Sequence, residues 1–129
     1  MAVETSILKS VKKTLGLDEN YDAFDHDVIT HVNSAFFTLH QLGIGPTEGF
    51  MIEGDEEIWD EFTGTGVKMT TLNAVKTYIY LYVRLLFDPP GTPHHIKAAE
   101  DQKTELTHRL LTERELQAWY PPSSLPSLP

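Results

Sequence analysis

The chain has 129 residues, no cysteine, and 19 Asp and Glu against 10 Lys and Arg, for a formal net charge of −9. That length fits one domain with a single modest core, and the missing thiols exclude disulfides, thiolate metal sites and cysteine nucleophiles. The charge is uneven: residues 18–27 carry five acids and 48–61 carry seven, neither with a Lys or Arg, so they sum to −12 and the rest to +3. Such a chain has no basic footprint for gripping nucleic acid and should repel DNA. The plainer account of both acidic runs is a solvated loop that keeps the protein soluble.

The first thirteen residues lack an apolar run after their charges, so no secretory signal is expected and a cytoplasmic protein is the default. Ser6 or Thr5 can cap a first short helix with Ile7, Leu8, Val11 and Leu15 on one face and Gly16 at its end. Lys9, Lys12 and Lys13 fall largely on the opposite side, the last two near the end where the helix dipole favours cations. After a turn, Asp22 is a good N-cap, with Asp25 at the third helical position and Asp27 nearby. A long helix is then expected from Ala23 to Leu42, with Val28, Ile29, Val32, Ala35, Phe36, Leu39 and Leu42 as its apolar stripe. His26, Thr30, Asn33, Ser34 and Thr38 lie mostly on its other side. Gly43 and the following Ile44-Gly45-Pro46 end it.

The stretch from Gly43 to Lys68 is irregular and acidic, and a loop of that length in a small domain is usually functional or mobile. Phe50-Met51-Ile52 reads as a short strand or a loop plug, and Asp55–Phe62 as a short acidic helix with Ile58, Trp59 and Phe62 turned inward. The central stretch, Leu72 to Pro90, opens at Thr70 or Thr71 as N-cap and stops at Asp88-Pro89-Pro90, where two prolines forbid helix. Leu72, Val75, Ile79, Tyr82 and Leu86 share one face, and Tyr78, Tyr80, Leu81, Val83, Leu85 and Phe87 make the other nearly as apolar. Its β-branched and aromatic content also suits a strand. Length and upstream phase favour a helix at the centre of the domain, and Lys76 and Arg84 interrupt it too often for a membrane span.

Thr92-Pro93 starts a last helix that runs to about Ala118, with sparse apolar positions at Ile96, Ala99, Leu106, Leu110, Leu111 and Leu116. Glu105, Arg109 and Glu113 are spaced for i,i+4 pairs on an exposed face. Residues 119–129 hold four prolines along with Trp119, Tyr120, Leu125 and Leu128, a composition that favours an extended arm that orders on a partner over the alternative of a merely frayed terminus. The expected architecture is an all-α bundle of about four helices around the central one, with an acidic insertion, in a domain of residues 1–118 followed by the arm.

Chemistry finds little purchase. Asp18, Asn20 and Asp22 sit at EF-hand positions one, three and five, but Ala23 replaces the glycine and Ile29 the closing Glu. The six histidines form no i,i+4 pair of the HExxH kind. The Gly43–Gly49 segment matches neither a dinucleotide nor a Walker loop, and no serine sits in a nucleophile elbow. The expectation is therefore no enzyme, no metal and no cofactor.

The block VKKTLGLDE with FDHDVITHVNSAFFTLHQLGIGP, an acidic WDEF segment, and VKTYIYLYVRLLFDPP together resemble the head–tail connector (adaptor) proteins of tailed double-stranded DNA phages and prophages, over roughly residues 6–118. The resemblance implies a structural virion protein that is assembled in the host cytoplasm and placed at the head–tail interface. It implies a homo-oligomeric ring, twelvefold, docked beneath the portal protein and meeting the next connector (stopper) or tail component. DNA passes through such a ring without specific binding, and no membrane is involved.

Carried onto this chain, the portal-facing candidates are Leu110, Leu111, Arg114, Leu116, Trp119, Tyr120, Leu125 and Leu128. The tail-facing or lumen-lining candidates are Glu48, Glu53, Asp55, Glu56, Glu57, Asp60 and Glu61. A ring needs two different complementary patches per subunit, which the acidic front and mildly basic remainder could supply, and a negative lumen avoids braking the genome. The alternative is a small cytoplasmic helical module that binds or regulates another protein. An acidic hydrolase would need an apolar pocket with a perturbed carboxylate, which nothing in the sequence locates.

Overall fold

A computed structural model describes residues 6–64 and 69–116. Among them the chain forms five helices, α1 (Ile7–Leu15), α2 (Asp25–Gln41), α3 (Trp59–Thr63), α4 (Met69–Phe87) and α5 (Pro93–Leu116). The only β pairing among the described residues is an isolated bridge between Ser6 and Ile58. The bundle is all-α: four principal helices, with α3 inside the acidic insertion.

The apolar run of α4 is helical because that phase puts Val75, Tyr78, Ile79, Leu81 and Val83 into the interior at once. α4 packs against α1, α2 and α5, so it is the central element. Two details differ from the sequence expectation. The helix begins at Met69, ahead of both threonines, and the Thr71 hydroxyl instead lies buried, donating to the Glu113 carboxylate of α5 at 3.5 Å. Leu86, expected in the apolar stripe, is 56% exposed. Its neighbour Phe87 turns toward Phe24 in an edge-on contact at 5.3 Å, and consecutive helical residues point about 100° apart.

α1 follows its local signals. Ser6 is extended and its Oγ accepts the Lys9 N–H at 3.3 Å, while Gly16 takes a left-handed φ of 83° and Leu17 N–H returns to Lys12 O at 2.9 Å. Ile7, Leu8 and Val11 are buried. Lys12 is not on the polar face, as expected, but only 1% exposed. It lies four residues after Leu8 and three before Leu15, at the edge of the apolar face, and the α1–α2 turn folds over it. Its Nζ sits 2.7 Å from Asp25 Oδ1 and donates to Tyr21 O at 2.8 Å and Glu19 O at 3.1 Å. Three ammonium protons thus meet three acceptors, the condition under which a buried cation is tolerated. Asp25 Oδ1 has no hydrogen-bond partner besides this ion pair.

That pairing also corrects the start of α2, which begins at Asp25 rather than Ala23, with Phe24 at the cap position and no side-chain cap bond. Asp25 is the first helical residue, not the third, and Asp22 contributes its carbonyl to the Asp25 N–H at 3.2 Å. The predicted stripe holds: Val28, Val32, Ala35, Phe36 and Leu39 are buried, with Ile29 and Leu42 packed at its edge.

Candidate functional site

The acidic insertion is tied to the body at several points. Asn33 of α2 clamps Ile52 as a strand neighbour would: Oδ1 accepts the Ile52 N–H at 2.7 Å, and Nδ2 donates to its carbonyl at 2.9 Å. From the α1 side, Ile7 N–H donates to Glu57 O at 3.0 Å and Ser6 Oγ to Asp55 O at 2.8 Å. Trp59 Nε1 donates to Ser10 Oγ at 3.0 Å. Beneath these bonds, Phe36 gathers Phe50, Phe62 and Trp59 at ring-centroid distances of 5.0, 4.7 and 6.4 Å. Gly45, at φ 94°, lies so close to Phe62 that a Cβ there would stand 2.5 Å from Cε1. A glycine is required for both reasons.

Phe50-Met51-Ile52 is therefore a loop plug rather than a strand, with Ile52 buried, Phe50 half-buried and Met51 exposed. The predicted helix over 55–62 shrinks to α3, because the Asp55 and Glu57 carbonyls accept bonds from Ser6 and Ile7 and Ile58 is extended in a bridge to Ser6, so residues 55–58 do not wind. Trp59 and Phe62 point inward as expected, and Ile58 is half-buried.

The seven acids of this segment divide by what their carboxylates touch. Glu57 accepts the N–H groups of Glu53 and Gly54 at 2.8 and 3.4 Å, and Glu61 accepts the Ile58 N–H at 2.8 Å to cap α3. Asp55 stands 3.9 Å from Lys9 Nζ on the surface. Glu48 takes a hydrogen bond from Thr47 at 3.3 Å. Glu48, Glu53, Glu56 and Asp60 are exposed, and none of the ion pairs among the described residues involves them. These four form the outward negative face.

α5 offers the second surface. It starts as predicted, with Thr92 Oγ1 accepting the His95 N–H at 3.2 Å, and the Arg109–Glu105 pair closes at 2.7 Å. Of the portal-facing candidates, Leu110 is wholly buried within the subunit and belongs to its core. Leu111 is half-buried and Arg114 exposed. The side chain of Leu116, and Trp119, Tyr120, Leu125 and Leu128, lie outside the described residues.

A third feature was not anticipated. Asn33, Phe37 and His40 of α2 face Glu48, Gly49, Phe50 and Met51 across an open groove of about 430 Å³. Phe37 is 59% and Met51 62% exposed. The signal was present in the sequence, since Phe37 falls outside the apolar stripe that its neighbour Phe36 anchors.

Among the described residues, Tyr78 is held above its ordinary pKa, by burial first and the nearby Tyr82 second, against a hydrogen bond with Thr107 that lowers it. It is a core residue between α4 and α5. Among the described residues, no three His, Asp or Glu side chains are grouped to hold a metal, and no helix is long and apolar enough to cross a membrane.

The described chain is a helical body with a pinned acidic loop and a long, mostly exposed last helix. Residues 7–117 match the phage connector protein family, and the chain belongs to that family. It is thus a phage head–tail connector, a structural component of the virion from a family of structural proteins. No curated protein and no solved structure matches the chain.

Proposed function

We propose that this chain assembles as a closed ring, twelvefold, beneath the portal of the DNA-filled capsid and joins it to the next connector or tail component. The membership of residues 7–117 in the phage connector family carries this reading. The exposed face of α5 with the arm after it forms the portal side in this account, through Leu111, Arg114, Trp119, Tyr120, Leu125 and Leu128. The insertion forms the tail-facing or lumen-lining side through Glu48, Glu53, Glu56 and Asp60. Glu57 and Glu61 hold the loop's shape instead, because their carboxylates are occupied by backbone N–H groups. Four outward carboxylates per subunit, repeated around a ring, would repel passing DNA rather than condense it.

The test is capture by the portal protein of the full chain and of a version cut after Ala118. Binding by the full chain alone makes the arm the anchor, and binding by both moves the anchor to α5. Failure of both at high concentration overturns portal docking. Ring closure is read separately, by native mass spectrometry of the captured complex, where the account expects twelve copies.

A further inference from the structure

The groove between α2 and residues 48–51 is an exposed, mainly apolar feature that the connector role leaves unused. Its walls are Phe37, His40, Phe50 and Met51, and its floor is closed by Asn33, whose amide is already committed to Ile52. An aromatic-lined groove with exposed Phe and Met edges suits a proline-rich, uncharged segment, whose extended form is paid for in advance by its ring constraints. The chain carries such a segment: residues 117–129 contain no Asp, Glu, Lys or Arg, four prolines, and Trp119-Tyr120 at their head.

Chain geometry brings the two together. Arg114, in the last turn of α5, lies against the end of α2, where a Cβ on Gly43 would stand 2.5 Å from its Nη1. The last described turn of α5 therefore lies near the Gly43 corner. The groove begins at His40 and ends at Asn33, ten residues back along α2 from Gly43, or about 15 Å at helical rise. Trp119 and Tyr120 are the third and fourth residues of the 117–129 segment and extend about 9–12 Å in polyproline form, which reaches the His40 and Phe37 end of the groove. Tethering at that range gives an effective concentration of order millimolar, enough to populate a weak contact.

We propose that the arm of each free subunit seats in its own Phe37–Met51 groove, with Trp119 and Tyr120 against Phe37, His40 and Met51. Parked there, the apolar arm is covered until a partner competes for it, and its release exposes both the arm and the groove. The inference concerns the free subunit and stands or falls independently of the portal.

Methionine-methyl NMR on the full chain reads this directly, because the methionines are Met1, Met51 and Met69. Met51 reports the groove, and Met69, at the start of α4, is the control. Replacing Trp119 and Tyr120 by Ala in the full chain should move the Met51 methyl resonance and leave Met69 in place. Phe37→Ala, an exposed position with little bearing on folding, should abolish the Met51 response to the arm substitutions. The Met51 shift should also be unchanged on hundredfold dilution. A Met51 resonance indifferent to the arm substitutions overturns the proposal. A shift that fades on dilution overturns the own-subunit assignment in favour of a neighbouring copy's arm.

Discussion

α4 and α5 are the two longest helices, at 19 and 24 residues, and they serve opposite ends. α4 buries six side chains and touches three other helices. α5 buries one described side chain, Leu110, and leans on α4 through Leu106, the Thr71–Glu113 contact and Lys103 over the Tyr82 ring at 4.9 Å. The body of α1, α2, α4 and the pinned insertion encloses the core, whereas α5 packs along α4 by one face and leaves most of its surface exposed. A subunit that must join a larger assembly gains from this division, because an outward helix can adapt without unsettling the core.

The comparison can be broken most forcefully from the body. Lys12→Ala removes the cation from beneath the α1–α2 turn and should cost about 3–4 kcal/mol, near the range for breaking a buried pair. Lys12→Met, which restores bulk but not charge, should recover only part of that loss in urea unfolding. Leu110→Ala should cost about 2–3 kcal/mol through a cavity at the α4–α5 contact. Hydrogen exchange should then show α5 losing protection while α2 and α4 keep theirs; uniform loss would deny the separation. Arg109→Ala, which deletes an exposed i,i+4 pair, should change stability by less than about 0.5 kcal/mol.

At neutral pH the smallest effect belongs to ionisation of Tyr78. Its folded pKa is raised, so the native state holds the phenol proton more tightly than the unfolded chain does. Its contribution is complete below the free tyrosine value of about 10 and is lost as pH rises through the folded value. Tyr78→Phe should flatten that alkaline loss in unfolding titrations, and an unchanged slope would place the titrating group elsewhere.

Much of the fold was legible because its signals are local. Ser6 and Gly16, the Val28–Leu39 stripe, Thr92-Pro93 and the Asp88-Pro89-Pro90 stop all do in the structure what their chemistry dictates in isolation. The errors occur where a distant residue changed the local answer. Lys12 reads as solvated until the turn brings Asp25 and two carbonyls over it, and the same pairing moves the start of α2. Residues 55–58 have helical composition but are kept from winding by bonds from Ser6 and Ile7, some fifty positions away. The acidic run could be read as a negative surface, yet not sorted: Glu57 and Glu61 differ from Glu53 and Glu56 only in the backbone N–H groups the loop turns toward them. The groove lay hidden because Phe37 and Met51 become neighbours only when Asn33 clamps Ile52.

The most direct test of the connector role is made in the encoding phage, by deleting the gene for this chain and counting particles by electron microscopy. The account predicts DNA-filled heads and free tails that fail to join, with tailed particles restored when the full chain is supplied. Tailed, infectious particles at normal yield in its absence would contradict it.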